Sequence, residues 1–197
     1  MAYKRKDRAL DEPRDMEAKA GIIKNADGSA MFRMGKTIAY AAVYGPRDLY
    51  PKFLQNPTSG ILRCNYNMMP FSGSGERIRP GGNRRSKEIS MVTAKALLPV
   101  LDLADFPNAV VDVFIELPQT DAGSRCAGIC AAAIALADAG LVMKDMVAAV
   151  SVGSIDGTAV VDLDKEEEDF PGEVADIPIA VQSRNGAISL LQMDGLT

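Results

Sequence analysis

Histidine is missing from all 197 residues. Its absence removes every scheme that needs an imidazole base, among them Ser-His-Asp hydrolysis, HExxH zinc chemistry and histidine-pair ribonucleases. Any catalysis must rest on carboxylates, Arg, Lys, Ser, Tyr or Cys. Cysteine is scarce as well, with only Cys64, Cys126 and Cys130, an odd number that argues against an oxidised, secreted scaffold. Cys126 and Cys130 would share one helix face, but with no histidine nearby they read as buried small residues rather than metal ligands. No stretch approaches the roughly 18 apolar residues of a membrane helix, and the charged N-terminus has no apolar run behind it to make a signal peptide. A cytoplasmic protein without membrane contact is the expectation.

What is present supports one folded unit. Hydrophobic residues make up 47% of the sequence, enough to bury a real core, and the length suits a single domain over residues 1–197. The net charge of −4 is unevenly spread: residues 112–176 hold fourteen acids against Arg125, Lys144 and Lys165. Between Glu76 and Glu88 the balance reverses, with Arg77, Arg79, Arg84, Arg85 and Lys87. If RNA binds, it binds that local basic strip.

Residues 38–44 and 61–66 read as strands, apolar and bounded by Gly, Pro or Asn. Residues 70–83 read as an exposed loop rich in glycine and arginine. Apolar side chains at Ile89, Val92, Ala96 and Leu97 predict a helix from Arg84 or Arg85 that stops near Pro99. Residues 109–117 read as a half-buried strand, and the alanine-rich run from Ser124 to Ala139 as a tightly packed helix closed by Gly140. Four further strands are expected at 147–152, 159–163, 177–182 and 187–193, the last two forming a hairpin at Asn185-Gly186. Clustered strands point to an α+β domain with helices on one face of a mixed sheet.

Three constellations can carry chemistry. At Asp121-Ala-Gly-Ser-Arg125 a turn opens a helix whose first amides favour an anion, and Arg125 adds a fork suited to phosphate; the plain alternative is an ordinary Ser-capped helix. At Gly81-Gly-Asn-Arg-Arg85 paired arginines stand at a second helix start and can reach two phosphates of one strand; the plain alternative is a solvated basic turn. From Asp162 to Asp176 an acid cluster lies between two strands. Grouped carboxylates there can hold Mg²⁺ or raise one pKa far enough to make a proton donor at neutral pH; the plain alternative is a solvated loop. Together they supply an anion site, a grip on a polyanion and an acid, which is the inventory for phosphorolysis.

The segments Ala20-Gly-Ile-Ile-Lys-Asn-Ala-Asp-Gly-Ser-Ala30, Ala42-Val-Tyr-Gly-Pro-Arg47, Tyr66-Asn-Met-Met-Pro-Phe-Ser72, Arg84-Arg-Ser-Lys-Glu-Ile-Ser90, Asp121-Ala-Gly-Ser-Arg125, Ala139-Gly-Leu-Val-Met-Lys-Asp-Met146 and Leu191-Gln-Met-Asp-Gly195 resemble, in order, the RNase PH family and within it the catalytic subunits of archaeal exosomes. The resemblance implies the RNase PH-type fold, shared with domain 2 of ribosomal protein S5. It also implies a 3′→5′ exoribonuclease with inorganic phosphate as co-substrate and nucleoside diphosphates as products, the reverse reaction adding 3′ tails. The implied partners are RNA, a related inactive RNase PH-type subunit in a hexameric ring of three heterodimers, and RNA-binding cap proteins. By the same resemblance Gly123, Ser124, Arg125 and Arg85 would hold phosphate, and Arg63, Arg84 and Arg79 would grip RNA. Asp169 and Asp176 would be the catalytic acids and hold Mg²⁺. They stand seven positions apart, one more than in the family. An insertion near Val174 keeps Asp169 as the general acid, the favoured reading; a different gap puts Glu168 there. The altered acid segment also admits a noncatalytic, structural and RNA-binding ring subunit. The long C-terminal helix that usually follows Asp194-Gly195 in the family is not in the sequence.

Overall fold

In a computed structural model that describes residues 3–5, 7–75 and 77–195, the class is α+β, but the strands form two sheets rather than one. The first sheet contains β1 (Met16–Ala20), β2 (Gly28–Met34), β3 (Thr37–Asp48), β4 (Ile61–Met68) and β5 (Ala109–Gln119) in the order β1-β2-β3-β5-β4. The second contains β6 (Val147–Ile155), β7 (Thr158–Val161), β8 (Val174–Gln182) and β10 (Asp194–Gly195) in the order β10-β8-β6-β7, with β9 (Ile188–Leu191) also paired to β8. Only the first sheet is mixed: β4 runs parallel to β5, with Tyr66 opposite Ile115, and every other pairing is antiparallel.

A parallel pair needs a long crossover, and α1 (Arg84–Leu97) with its preceding loop supplies it. Leu98, Pro99 and Val100 continue α1 as one 3-10 turn, so the helical path ends where Pro99 removes a donor. The carboxyl ends of β4 and β5 therefore lie side by side. The exposed loop leaves from one, and the turn into α2 (Ser124–Asp138) leaves from the other.

Helix α2 has no polar face. Cys126, Ala127, Ile129, Cys130, Ala131, Ala132, Ala133, Ala135 and Leu136 are all buried, the pattern of a helix covered on every side. It packs on β2, β3 and β5 with one side and on β6 and β8 with another, so it is the layer shared by the two sheets. Ile129 and Leu136, both fully buried, each contribute about 1.5–3 kcal/mol by leaving water. Small residues allow the close approach: a Cβ on Gly28 of β2 would stand 2.3 Å from the Ala139 nitrogen. Cys126 and Cys130 are buried packing residues, as read; the Cys130 sulfur lies 3.3 Å from the Ala149 nitrogen, and burial pushes its pKa up to about 11.

β1 and β2 were not anticipated. β1 alternates poorly and is largely exposed, so no period-2 signal marks it, and β2 opens with Gly-Ser-Ala, which reads as a turn.

Candidate active site

A cavity of about 330 Å³ opens where the two sheets meet. Its walls include Met68 from the end of β4, Arg85 from the first turn of α1, Gly123, Ser124 and Arg125 at the start of α2, and Lys165, Glu168 and Asp176 from the second sheet and its connection. The turn into α2 puts Ala122 and Gly123 at positive φ, +56 and +61. A Cβ on Gly123 would stand 2.9 Å from the Met34 methyl carbon and 3.1 Å from Arg14 Nη2, so both conformation and space demand glycine there.

No side chain caps α2. Ser124 is the first helical residue rather than its cap, so the ordinary Ser-capped start does not occur. The start of the helix, with the partial positive charge of a helix N-terminus, lines the cavity and offers a favourable place for an anion. Ser124 and Arg125 are both buried, and Arg125 Nη1 donates to Gln192 Oε1, whose own amide donates to Glu88 Oε1 at 2.6 Å. The C-terminal stretch thus holds Arg125 and α1 together. Beneath the helix start the Tyr66 hydroxyl is buried beside Ser124, outside full hydrogen-bonding geometry, and burial pushes its pKa up.

The acid cluster is not a solvated loop throughout. Residues Lys165–Glu168 form a single helical turn, α3, closed by a reciprocal cap between Asp164 and Glu167. This turn separates the neighbouring acids. Glu168 lines the cavity with Asp176; burial, and secondarily the Asp176 carboxylate, raise its pKa. Asp169 does not line the cavity. Its side chain is 64% exposed and accepts from Lys165 Nζ at 2.7 Å. Asp169 is thus engaged by Lys165 outside the cavity wall, whereas Glu168 and Asp176 both line it. One or two carboxylates plus phosphate oxygens suit Mg²⁺, so the residues present fit that ion. Among the described residues no cluster of three or more metal-ligating side chains occurs.

The arginines divide as well. Arg85 reaches the cavity, whereas Arg84 and Arg79 are exposed outside its walls. Arg63 lies five positions before Met68 on β4, roughly 16 Å away at strand rise, and forks onto Asp112 at 2.5 and 2.8 Å. Lys165, a cation in the cavity wall, was not singled out from the sequence; its single positive charge is lost among the surrounding acids. Nor were the N-terminal arginines, which lie on the acid segment. Arg5 donates to Glu167 at 2.6 and 2.9 Å, and Arg14 forks onto Asp162.

A two-sheet fold with such a cavity at the seam defines the class of protein, and the comparisons supply its family. Residues 12–142 match the 3′ exoribonuclease family, domain 1, and residues 145–197 match domain 2 of the same family; the boundary falls between the two sheets. The chain belongs to the RNase PH 3′ exoribonuclease family. It is 55% identical to the exosome complex component Rrp41 of Thermococcus kodakarensis over 93% of this chain and 73% of that protein. It is 49% identical to Rrp41 of Archaeoglobus fulgidus over 95% and 73%. In fold it matches rice Rrp46, with a TM-score of 0.84 at 23% identity over 97% of this chain and 85% of the other. It also matches a chain of the Archaeoglobus fulgidus exosome with RNA bound to the active site, with a TM-score of 0.80 at 22% identity over 96% and 81%.

Proposed function

We propose that this chain is a phosphorolytic 3′→5′ exoribonuclease of an archaeal exosome core, and that its two family segments act as one unit around the cavity. The observation that carries this reading is the facing of the uncapped α2 start, with Arg125 and Arg85, against Glu168 and Asp176 across one cavity.

In this mechanism the α2 amides, Ser124, Arg125 and Arg85 bind orthophosphate and neutralise its charge. Its oxygen attacks the terminal RNA phosphorus, the bond from phosphorus to the 3′ oxygen breaks, and the departing oxygen takes a proton. Glu168 is the acid that supplies it, since its raised pKa keeps it protonated above the usual carboxylate range. Burial, and secondarily the Asp176 carboxylate, hold that pKa up, and Asp176 orients the site. The product is a nucleoside diphosphate, and reversal adds a tail. A bound Mg²⁺ would be held by Asp176 with phosphate oxygens and would supply charge neutralisation. Arg79 and Arg84 grip the incoming RNA backbone, and Arg63 keeps donors beyond its two to Asp112 for a more distant phosphate. The partners are RNA, a related inactive subunit in the hexameric ring and RNA-binding caps, in the cytoplasm; no helix among the described residues is long and apolar enough to cross a membrane.

The test is to assemble the chain with its ring partner, add 5′-labelled RNA with and without orthophosphate, and identify the released nucleotides. Nucleoside diphosphates appearing only with orthophosphate are expected. Nucleoside monophosphates released without it would replace phosphorolysis by hydrolysis, and bound but uncut RNA would leave a structural subunit.

A further inference from the structure

We propose that the buried ion pair of Arg14 with Asp162 is a positioning element for phosphate capture, tying the 121–123 turn to the strands that carry the acids; the inference rests on the phosphorolytic reading. Arg14 approaches Asp162 three ways: its main-chain N–H donates to Oδ2 at 2.7 Å, Nε to Oδ2 at 2.9 Å and Nη2 to Oδ1 at 2.6 Å. The remaining arm, Nη1, donates to the carbonyl of Asp121. Asp162 passes the connection on, since its N–H donates to the Ser151 carbonyl at 2.7 Å, and the Ser151 hydroxyl donates to Asp176. One chain of bonds thus runs from the turn that presents the α2 amides to an acid on the opposite wall.

The placement argues for position rather than stability. A buried ion pair is weak evidence of net stabilisation, because desolvation offsets most of the attraction. Here the Asp162 side chain is 0% exposed and Arg14 9%, and Asp162 adopts φ +57, a conformation unfavourable for a residue with a Cβ. Arg14 Nη2 also lies close under Gly123, so the guanidinium supports the turn as well as bonding to it. Arg8 adds a second contact to Asp162, Nη1 to Oδ2 at 3.2 Å. Arg14 is a rigid planar fork whose separate nitrogens reach Asp162 and the Asp121 carbonyl together, a fixed geometry that the single nitrogen of an ammonium does not reproduce.

In the assembled particle, kcat, KM for orthophosphate and KM for RNA should be measured for the parent, Arg14→Lys and Asp162→Asn. Arg14→Lys is expected to raise KM for orthophosphate about tenfold and to leave KM for RNA within about twofold, because a misplaced binding turn acts on one substrate alone. Asp162→Asn tolerates the positive φ but keeps only one of the two acceptor oxygens and turns an NH2 donor on Arg14 in place of the other; a rise of at least about tenfold is expected, since the buried guanidinium loses its counter-charge. A folded Arg14→Lys particle with parental KM for orthophosphate overturns the inference, as does a fall in kcat with both KM values unchanged. If neither variant folds, the pair is structural and the inference fails. A parent without phosphate-dependent turnover would sink the phosphorolytic reading instead. The pair would then be judged by the thermal shift that orthophosphate alone produces, expected in the parent and diminished in Arg14→Lys.

Discussion

Helix α1 enters the cavity wall with its first turn closed, whereas α2 enters the same wall open. At α1 the Asn83 side chain accepts from the Ser86 N–H at 2.7 Å and the Ser86 hydroxyl accepts from the Asn83 N–H at 2.9 Å, a reciprocal cap. At α2 the preceding residue is Gly123 in the left-handed region, which has no side chain to offer. Glycine in place of a capping side chain costs only a few tenths of a kcal/mol, a loss that the burial of Ile129 and Leu136 alone offsets. The difference separates two jobs. The closed end brings Arg85 and its capping Asn83 to the cavity, and the open end brings Gly123, Ser124 and Arg125.

The largest effect should come from the acid opposite the open end. Glu168→Gln is expected to lower kcat by about 10²- to 10⁴-fold, the range for loss of a general acid, while Asp169→Asn, outside the cavity, stays within about threefold. Single-turnover RNA shortening by the assembled particle would measure both; reversal of the two effects would return the acid role to Asp169. The sign of the pH dependence follows. Burial and Asp176 raise the Glu168 pKa, so its proton is held above the usual carboxylate range, and kcat should fall as pH rises through that raised value. A profile without this alkaline limb would remove Glu168 from proton transfer.

Next in size is the contrast among arginines. Arg125→Ala, at the open end, should cost about 10²-fold in kcat/KM for orthophosphate, as for loss of a buried donor to developing charge. Arg85→Ala, at the closed end, should cost about tenfold. Arg84→Ala, exposed beyond the cavity, should leave orthophosphate kinetics within about twofold and instead flatten the salt dependence of RNA binding. Equal losses at Arg125 and Arg84 would erase the distinction between the two helix starts.

Much of this arrangement was legible in the sequence because it depends on local signals. Gly123 ahead of an alanine-rich run, paired arginines after glycines and Asn185-Gly186 between strands each announce their own geometry. The division into two sheets was not legible, since it depends on which strands find each other across α2, and β1 carries no alternating pattern to declare itself. Nor could spacing choose between Glu168 and Asp169. That choice depends on one short turn, α3, whose direction is fixed at a distance by Tyr3 and Arg5 on Glu167. Basic residues near a chain start ordinarily read as solvated, so nothing local marked Arg5, Arg8 or Arg14 as partners of buried acids some 150 residues away.

The smallest effect bears most directly on the two helix ends. Asn83→Ala removes the α1 cap and should lower stability by about 1 kcal/mol, lowering the unfolding midpoint by about 2–4 °C. On the proposed function, orthophosphate at free concentration c binding the folded state stabilises it by RT ln(1 + c/Kd), which rises with concentration. With the proposed site at the start of α2, it should raise the midpoint of the parent and of Asn83→Ala by the same increment. Thermal unfolding with and without saturating orthophosphate measures both quantities. An increment that vanishes in Asn83→Ala would move the anion to the closed end. An increment that survives there but is lost in Arg125→Ala would fix it at the open one.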